Sequence, residues 1–278
     1  MTNKVKPFLK ASVLFFSRAL RAAQIAKFRA PDGFTSRQKL LEALQGSRSV
    51  LEIGPFDQPL LGGNHVKYFD ILDQEALRNR ARECGRNEDG CPRIDYVSDR
   101  GDLSVIDGEK FDSILSSHCI EHQPDLIRHL NQVSEILRPG GKYFVIVPDK
   151  RFSFDHYLPL TRVSEVLAAH TESREIHSAT SIITHYAETT HNSPIRHWLG
   201  FHRPPRAGPP YLERLREAQK MMSAGKKNYV DVHSWFFTPT NFLAIMKTLS
   251  QAGLIGLTIE RVYGTPFGSN EFFAVLKK

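Results

Sequence analysis

The sequence predicts an α/β fold: a mostly parallel sheet with helices on both faces and an antiparallel last strand. Three observations carry this expectation. Short apolar β-runs alternate with helix-period segments through the first half of the chain. The first of these runs ends in an acid and breaks at once into a Gly-Pro turn. The last two runs are separated by a short loop, Gly264 to Ser269, of the kind that joins hairpin strands.

The elements follow in order. In SVLEIGPFDQPL (Ser49 to Leu60), Val50, Leu51 and Ile53 read as a buried parallel strand, and Gly54 frees the backbone where a side chain would obstruct a ligand. In open α/β sheets ligands bind outside the carboxyl ends of the strands, so Glu52 to Phe56 is the first place to expect a cofactor. HVKYFDIL (His65 to Leu72) reads as a strand ending at Asp70, an acid placed to suit a ribose hydroxyl pair. Ile94 to Leu103 puts Asp99 after a third short β-run, and Phe111 to Ser117 is a fourth strand that ends at HCIEH. A helix with Leu126, Leu130, Val133 and Leu137 on one face closes at Arg138-Pro-Gly-Gly, before a strand from Tyr143 to Val147. Thr238-Pro239 caps a last helix, with Phe242, Met246 and Leu249 on its apolar face and Gly253 as its stop. Leu257 to Val262 and Glu271 to Leu276 are the final strands.

Together these residues resemble the class I S-adenosylmethionine-dependent methyltransferases. The likeness is to the small-molecule branch, whose pattern reads EIG, an acid after the second strand, an Asp after the third, EH after the fourth and LRPGG before the fifth. It covers Val50 to Val147 and resumes near Asp231. It implies a Rossmann-like core with S-adenosyl-L-methionine as cofactor. Carried over, Glu52, Gly54, Pro55 and Phe56 lie against the methionine part, Asp70 binds the ribose, Asp99 contacts the adenine amino group, and Ser117 and His118 complete the cofactor site. The turn GPFDQP departs from the family in lacking further glycines.

At 278 residues the chain suits one core with an insertion. The expected divisions are a basic amphipathic helical segment (1–40), a cofactor-binding core (41–148), a mainly helical substrate-side insertion (149–230) and the end of the core (231–278). Cys84, Cys91 and Cys119 are too few for a disulfide framework, which points to a reducing, cytoplasmic location. No apolar run reaches the roughly 18 residues of a membrane span. The net charge of +7 suits an anionic substrate or surface. Lys4 to Arg29 interleaves basic and apolar residues, which suits either peripheral membrane contact or packing on the core or on a second copy in a homodimer. Nucleic acid is not an expected partner, because the charge forms no long basic stripe.

The insertion opens with PDKRFSFDH (Pro148 to His156) where the fifth strand ends, and DVHSWFFTP returns the chain to the core. Methylating a hydroxyl needs a general base or a metal that lowers the hydroxyl pKa. The candidate bases are His156, placed first, then Asp155, with His118, Asp149 and His233; no metal ligand is assigned. Resemblance to methyltransferase-like proteins of surface-glycan biosynthesis favours a sugar hydroxyl on a glycan or on a nucleotide- or lipid-linked saccharide. The alternatives are N- or carboxyl-methylation of another small molecule, or an inactive methyltransferase-like partner subunit. HCIEH also matches the HxxEH pattern of zinc peptidases. That chemistry requires both histidines on one helix face, whereas His118 follows a strand and the helix is expected only near Pro124.

Overall fold

The computed structural model describes residues 36–204, 209–225 and 229–278. The expected N-terminal segment Lys4 to Arg29 lies outside them.

Seven strands form one sheet: β1 (Val50–Ile53), β2 (Val66–Asp70), β3 (Tyr96–Val97), β4 (Phe111–Ser117), β5 (Leu137–Pro148), β6 (Thr258–Tyr263) and β7 (Glu271–Lys277). Their order is β3-β2-β1-β4-β5-β7-β6. The first five pair in parallel, while β7 runs antiparallel to both β5 and β6. This confirms the predicted α/β class and its antiparallel last strand. The strand order reverses between β1 and β4, and that switch point opens the crevice where such sheets take ligands.

Two apolar layers hold the sheet. On one face Leu51, Ile114, Tyr143, Val145, Phe272 and Ala274 pack with Leu126, Leu130 and Val133 of the helix Leu126–Ile136 and with Phe242, Met246 and Leu249 of the helix Pro239–Gln251. On the other, Leu40 of the helix Arg37–Glu42 packs with Val50, Leu115, Phe144, Ile146, Phe273 and Val275. Thr238 caps its helix as predicted, its hydroxyl accepting from Asn241 N. Two boundaries differ from the sequence reading. Leu137 begins β5 instead of ending a helix, because it takes extended backbone immediately before Arg138-Pro-Gly. β3 is only two residues long, although Asp95 N and Ser98 N on either side also bond to Tyr68 O and Asp70 O of β2.

His129 is a polar residue enclosed by the first layer. It is 2 % exposed, with Nε2 3.2 Å from the Tyr143 hydroxyl. Burial, helped by Arg128, pushes its pKa down to about 4. The unfolded chain therefore binds a proton near pH 6.5 that the folded chain refuses until about pH 4, and stability falls as pH drops through that window. The expected slope from this residue is about 1.4 kcal/mol per pH unit. Denaturant melts of His129→Gln between pH 7 and 4 should show it shallower by about one proton; an unchanged slope would contradict the assignment.

Candidate active site

The carboxyl end of β1 is shaped by crowding. Gly54 has φ +71, and a Cβ there would lie 2.4 Å from Cys119 Sγ, which follows β4. Cys119 Sγ in turn donates to Ile53 O and Ser117 O, so β1 and β4 meet without room for a side chain. Phe56 and His118, on either side of this junction, also take positive φ (46 and 53), a strain that non-glycine residues hold only where neighbours enforce it. The GPFDQP loop keeps its path without further glycines because Glu52 organises it. Both Glu52 carboxylate oxygens accept backbone amides, from Leu60 at 2.8 Å and Leu61 at 2.9 Å. Burial pushes this carboxyl up to about 7 against the pull of those amides. The carboxylate of Glu52, a residue expected against the cofactor, holds the loop.

Asp70 ends β2 beside the turn. It is 7 % exposed and takes hydrogen bonds from the amides of Leu72, Ile71 and Phe56, so it ties the second strand to the first loop. Burial raises its pKa to about 6, with the amides opposing. Asp99 is exposed on a turn that closes on the same residue through Ser98 N to Asp70 O. Gly101 of that turn faces Ile71 and Gln123.

Beyond β4 a short 3-10 turn, Ile120–His122, carries a group that spacing along the chain does not reveal. Glu121 is 0 % exposed, and neither of its carboxylate oxygens has a hydrogen-bond partner. Around Oε1, each at 3.8 Å, stand His118 Nδ1, His122 Nε2 and His233 Nε2. His233 arrives from more than a hundred residues away because its segment is hydrogen-bonded across the strand ends. Ser234 N and Trp235 N donate to Glu121 O, Trp235 Nε1 donates to Gln123 O, and Phe237 bridges Asp149. Asp155 lies behind the imidazole, with Oδ2 2.8 Å from His233 Nδ1. A carboxylate there accepts, which keeps the ring proton on Nδ1 and leaves the Nε2 lone pair on the Glu121 side. His122 Nδ1 lies 2.8 Å from Oδ1 of exposed Asp231, an ion-pair contact without the hydrogen-bond alignment of the His233–Asp155 pair. Burial alone would push His122 down, but the Asp231 and Glu121 carboxylates outweigh it and its pKa is raised. His177 and His185 complete the surroundings, pushed down by burial to about 3 and 4.

Of the predicted bases, the structure brings Asp155 and His233 into contact, sets His118 beside the same Glu121 oxygen, and commits Asp149 and His156 to other partners. Asp149 is 0 % exposed, and its carboxylate accepts from Arg151 N, Nε and Nη2 and from Thr265 Oγ1. His156 turns away from its neighbour Asp155: its Nδ1 is 2.6 Å from Arg151 O, and its ring stacks on His202 at 3.8 Å. His118 Nε2 is 3.1 Å from Glu271 Oε2, and Arg37 grips the same carboxylate with two donors. Glu121, His122 and Asp231 were not among the predicted catalytic residues. The signal was present in HCIEH, but only its second half works as a unit. Its first histidine, on left-handed backbone, is drawn to Glu271.

Comparison with known proteins identifies the family. A family model described as a methyltransferase domain matches residues 25–182, more than half of the chain. The chain belongs to that family, whose methyl donor is S-adenosylmethionine. It is also similar to a ubiquinone biosynthesis O-methyltransferase of Chelativorans sp. (strain BNC1), 38 % identical over 71 residues. That stretch spans 26 % of this chain and 26 % of that protein. Among solved structures, a 1,6-didemethyltoxoflavin-N1-methyltransferase from Burkholderia thailandensis, holding S-adenosylhomocysteine, aligns at 15 % identity over 100 % of this chain and 92 % of its own, with a TM-score of 0.43. An O-methyltransferase family protein from the same organism aligns at 12 % identity over 87 % of this chain and 55 % of its own, with a TM-score of 0.42.

Proposed function

We propose that this chain methylates a hydroxyl group, most suitably of an anionic saccharide, with S-adenosylmethionine as donor. The observation that carries the reading is the buried Asp155–His233 pair facing Glu121, one turn beyond the β1/β4 switch point. The residues there suit the cofactor: a side-chain-free turn at Gly54, and the Asp70 carboxylate at the end of β2 to accept from a ribose diol. Asp99 and its turn take the adenine side. The cofactor supplies a methyl carbon made electrophilic by its sulfonium. An alcohol is a poor nucleophile at neutral pH, so the protein's task is to align it and remove its proton. His233 Nε2 receives that proton, and Asp155 holds the ring and stabilises the imidazolium. The oxygen–carbon bond forms as the carbon–sulfur bond breaks, the electron pair staying on sulfur.

The saccharide is supported by the PDKRFSFDH and DVHSWFFTP segments and by the +7 charge. Amines and carboxylates need less base catalysis, so a site equipped with a buried base favours the hydroxyl. The three described cysteines are free, in keeping with a reducing compartment. Among the described residues no helix is long and apolar enough to cross a membrane. Incubation with labelled S-adenosylmethionine and a panel of acidic saccharides, amines and carboxylic acids should give a methyl ether by mass spectrometry. A methylated amine or a methyl ester as the main product would overturn the hydroxyl assignment.

Asp70 sets a pH dependence for cofactor binding. With its pKa raised to about 6, its carboxylate is an acceptor at pH 7.5 and is increasingly protonated as pH falls below 6. S-adenosylhomocysteine affinity should then be flat above about pH 7 and weaken toward roughly tenfold per unit well below pH 6. Asp70→Asn should bind more weakly at pH 7.5 and lose that pH dependence; a parallel profile for the variant would remove Asp70 from the ribose role.

A further inference from the structure

We infer that Glu121, His122 and His233 form a site for a divalent transition-metal cation at the acceptor end of the cleft. Glu121 Oε1 lies 3.8 Å from both His122 Nε2 and His233 Nε2, and one donor atom from each residue falls within a 4.8 Å cluster. Donors sharing one ion at about 2.0–2.2 Å sit roughly 3.0–3.4 Å apart, so each Glu121–histidine pair has to close by only about half an ångström. The two rings meet edge to face with centroids 4.5 Å apart.

Two further features suit a cation. The first is the state of Glu121, a carboxylate with 0 % exposure and no hydrogen-bond partner on either oxygen. Such a group is costly to bury unless something positive compensates it. The second is the outer layer. His233 Nδ1 is held by Asp155 at 2.8 Å, and His122 Nδ1 faces Asp231 at 2.8 Å. Metal-binding histidines are held in this way, with the far nitrogen donating to a carboxylate so that the near nitrogen presents its lone pair.

Two imidazoles and one carboxylate suit zinc, manganese, iron or cobalt in the divalent state, and they leave coordination positions open. Resting on the hydroxyl-methylation reading, those positions fit an acceptor with two adjacent oxygens, such as the vicinal diol of a sugar. With an ion bound, His233 Nε2 would serve as a ligand in place of its role as base, and the cation would lower the hydroxyl pKa so that the proton leaves to water. A second imidazole group, His156, His197 and His202, has no carboxylate among its donors to balance a cation, and His202 is exposed.

The test uses the full chain, dialysed against a chelator and titrated by calorimetry with Zn²⁺, Mn²⁺ or Co²⁺ alone; visible absorption of the Co²⁺ form reports its coordination. One saturable ion per chain is expected. Glu121→Gln and His122→Ala should each weaken it at least about a hundredfold, and Asp231→Asn by about 10–100-fold, while His202→Ala should leave it unchanged. S-adenosylhomocysteine binding, measured separately, shows that each variant is folded. An ion that binds to a chain unable to take S-adenosylhomocysteine would support the site and overturn the methyl-transfer reading. No saturable ion, or one lost with His202→Ala and retained in Glu121→Gln, would overturn the site and leave that reading standing.

Discussion

His233→Ala lowers turnover by about 10²–10⁴ while S-adenosylhomocysteine affinity stays within about twofold. The asymmetry follows from position. His233 sits with Asp155 and Glu121 beyond β4, whereas the turn proposed to hold the cofactor is built from Gly54, Phe56 and Asp70. Losing the imidazole removes an interaction needed only as the acceptor oxygen gains its methyl group, and the same loss is expected whether Nε2 takes the proton or holds a cation. Asp155→Asn should fall nearly as far, because an amide can donate to Nδ1 and so fix the wrong tautomer. His156→Ala should stay within a few-fold of the parent, its ring being committed to the stack with His202. Steady-state release of S-adenosylhomocysteine, paired with calorimetry, measures both quantities. If His233→Ala kept near-parent turnover and His156→Ala lost it, the base would lie in the imidazole stack instead.

How much of this was legible beforehand divides along a physical line. Strand ends were readable, because apolar β-runs ending in an acid or glycine are local patterns: Ile53-Gly54, Asp70 and Ser117 sit where periodicity placed them. The Thr238 cap was readable for the same reason. Side-chain direction was not. Asp155 and His156 are neighbours in sequence, yet the first turns to His233 and the second to His202, and only the packing of the insertion decides between them. Glu52 shows the same limit, since a carboxylate after a strand looks alike whether it meets a ligand or the amides of its own loop. The HCIEH motif was noticed and its geometry correctly denied it a helix. Its Glu121-His122 half gains meaning only when Ser234 and Trp235 hydrogen-bond to Glu121 O and bring His233 with them, a contact across more than a hundred residues.

Gly54→Ala should weaken S-adenosylhomocysteine binding by about 10–100-fold and lower the melting temperature. Two separate costs add at this position. An alanine at φ +71 carries about 1–2 kcal/mol of left-handed strain. Its Cβ would also stand 2.4 Å from Cys119 Sγ, and that sulfur cannot retreat without releasing Ile53 O and Ser117 O. Relief must therefore come from the backbone where β1 meets β4, which is where the cofactor loop starts. The two costs can be told apart with Cys119→Ala. In the double variant the overlap is gone and only the strain remains, so binding should recover part of the way and the two substitutions should couple by about 1–2 kcal/mol. Cys119→Ala alone should change affinity by no more than a few-fold, because the thiol supports the junction and is not assigned a contact with the cofactor. Parent-like binding by Gly54→Ala would show that the loop after β1 is not the cofactor's cradle, and no coupling with Cys119→Ala would show that the junction yields elsewhere.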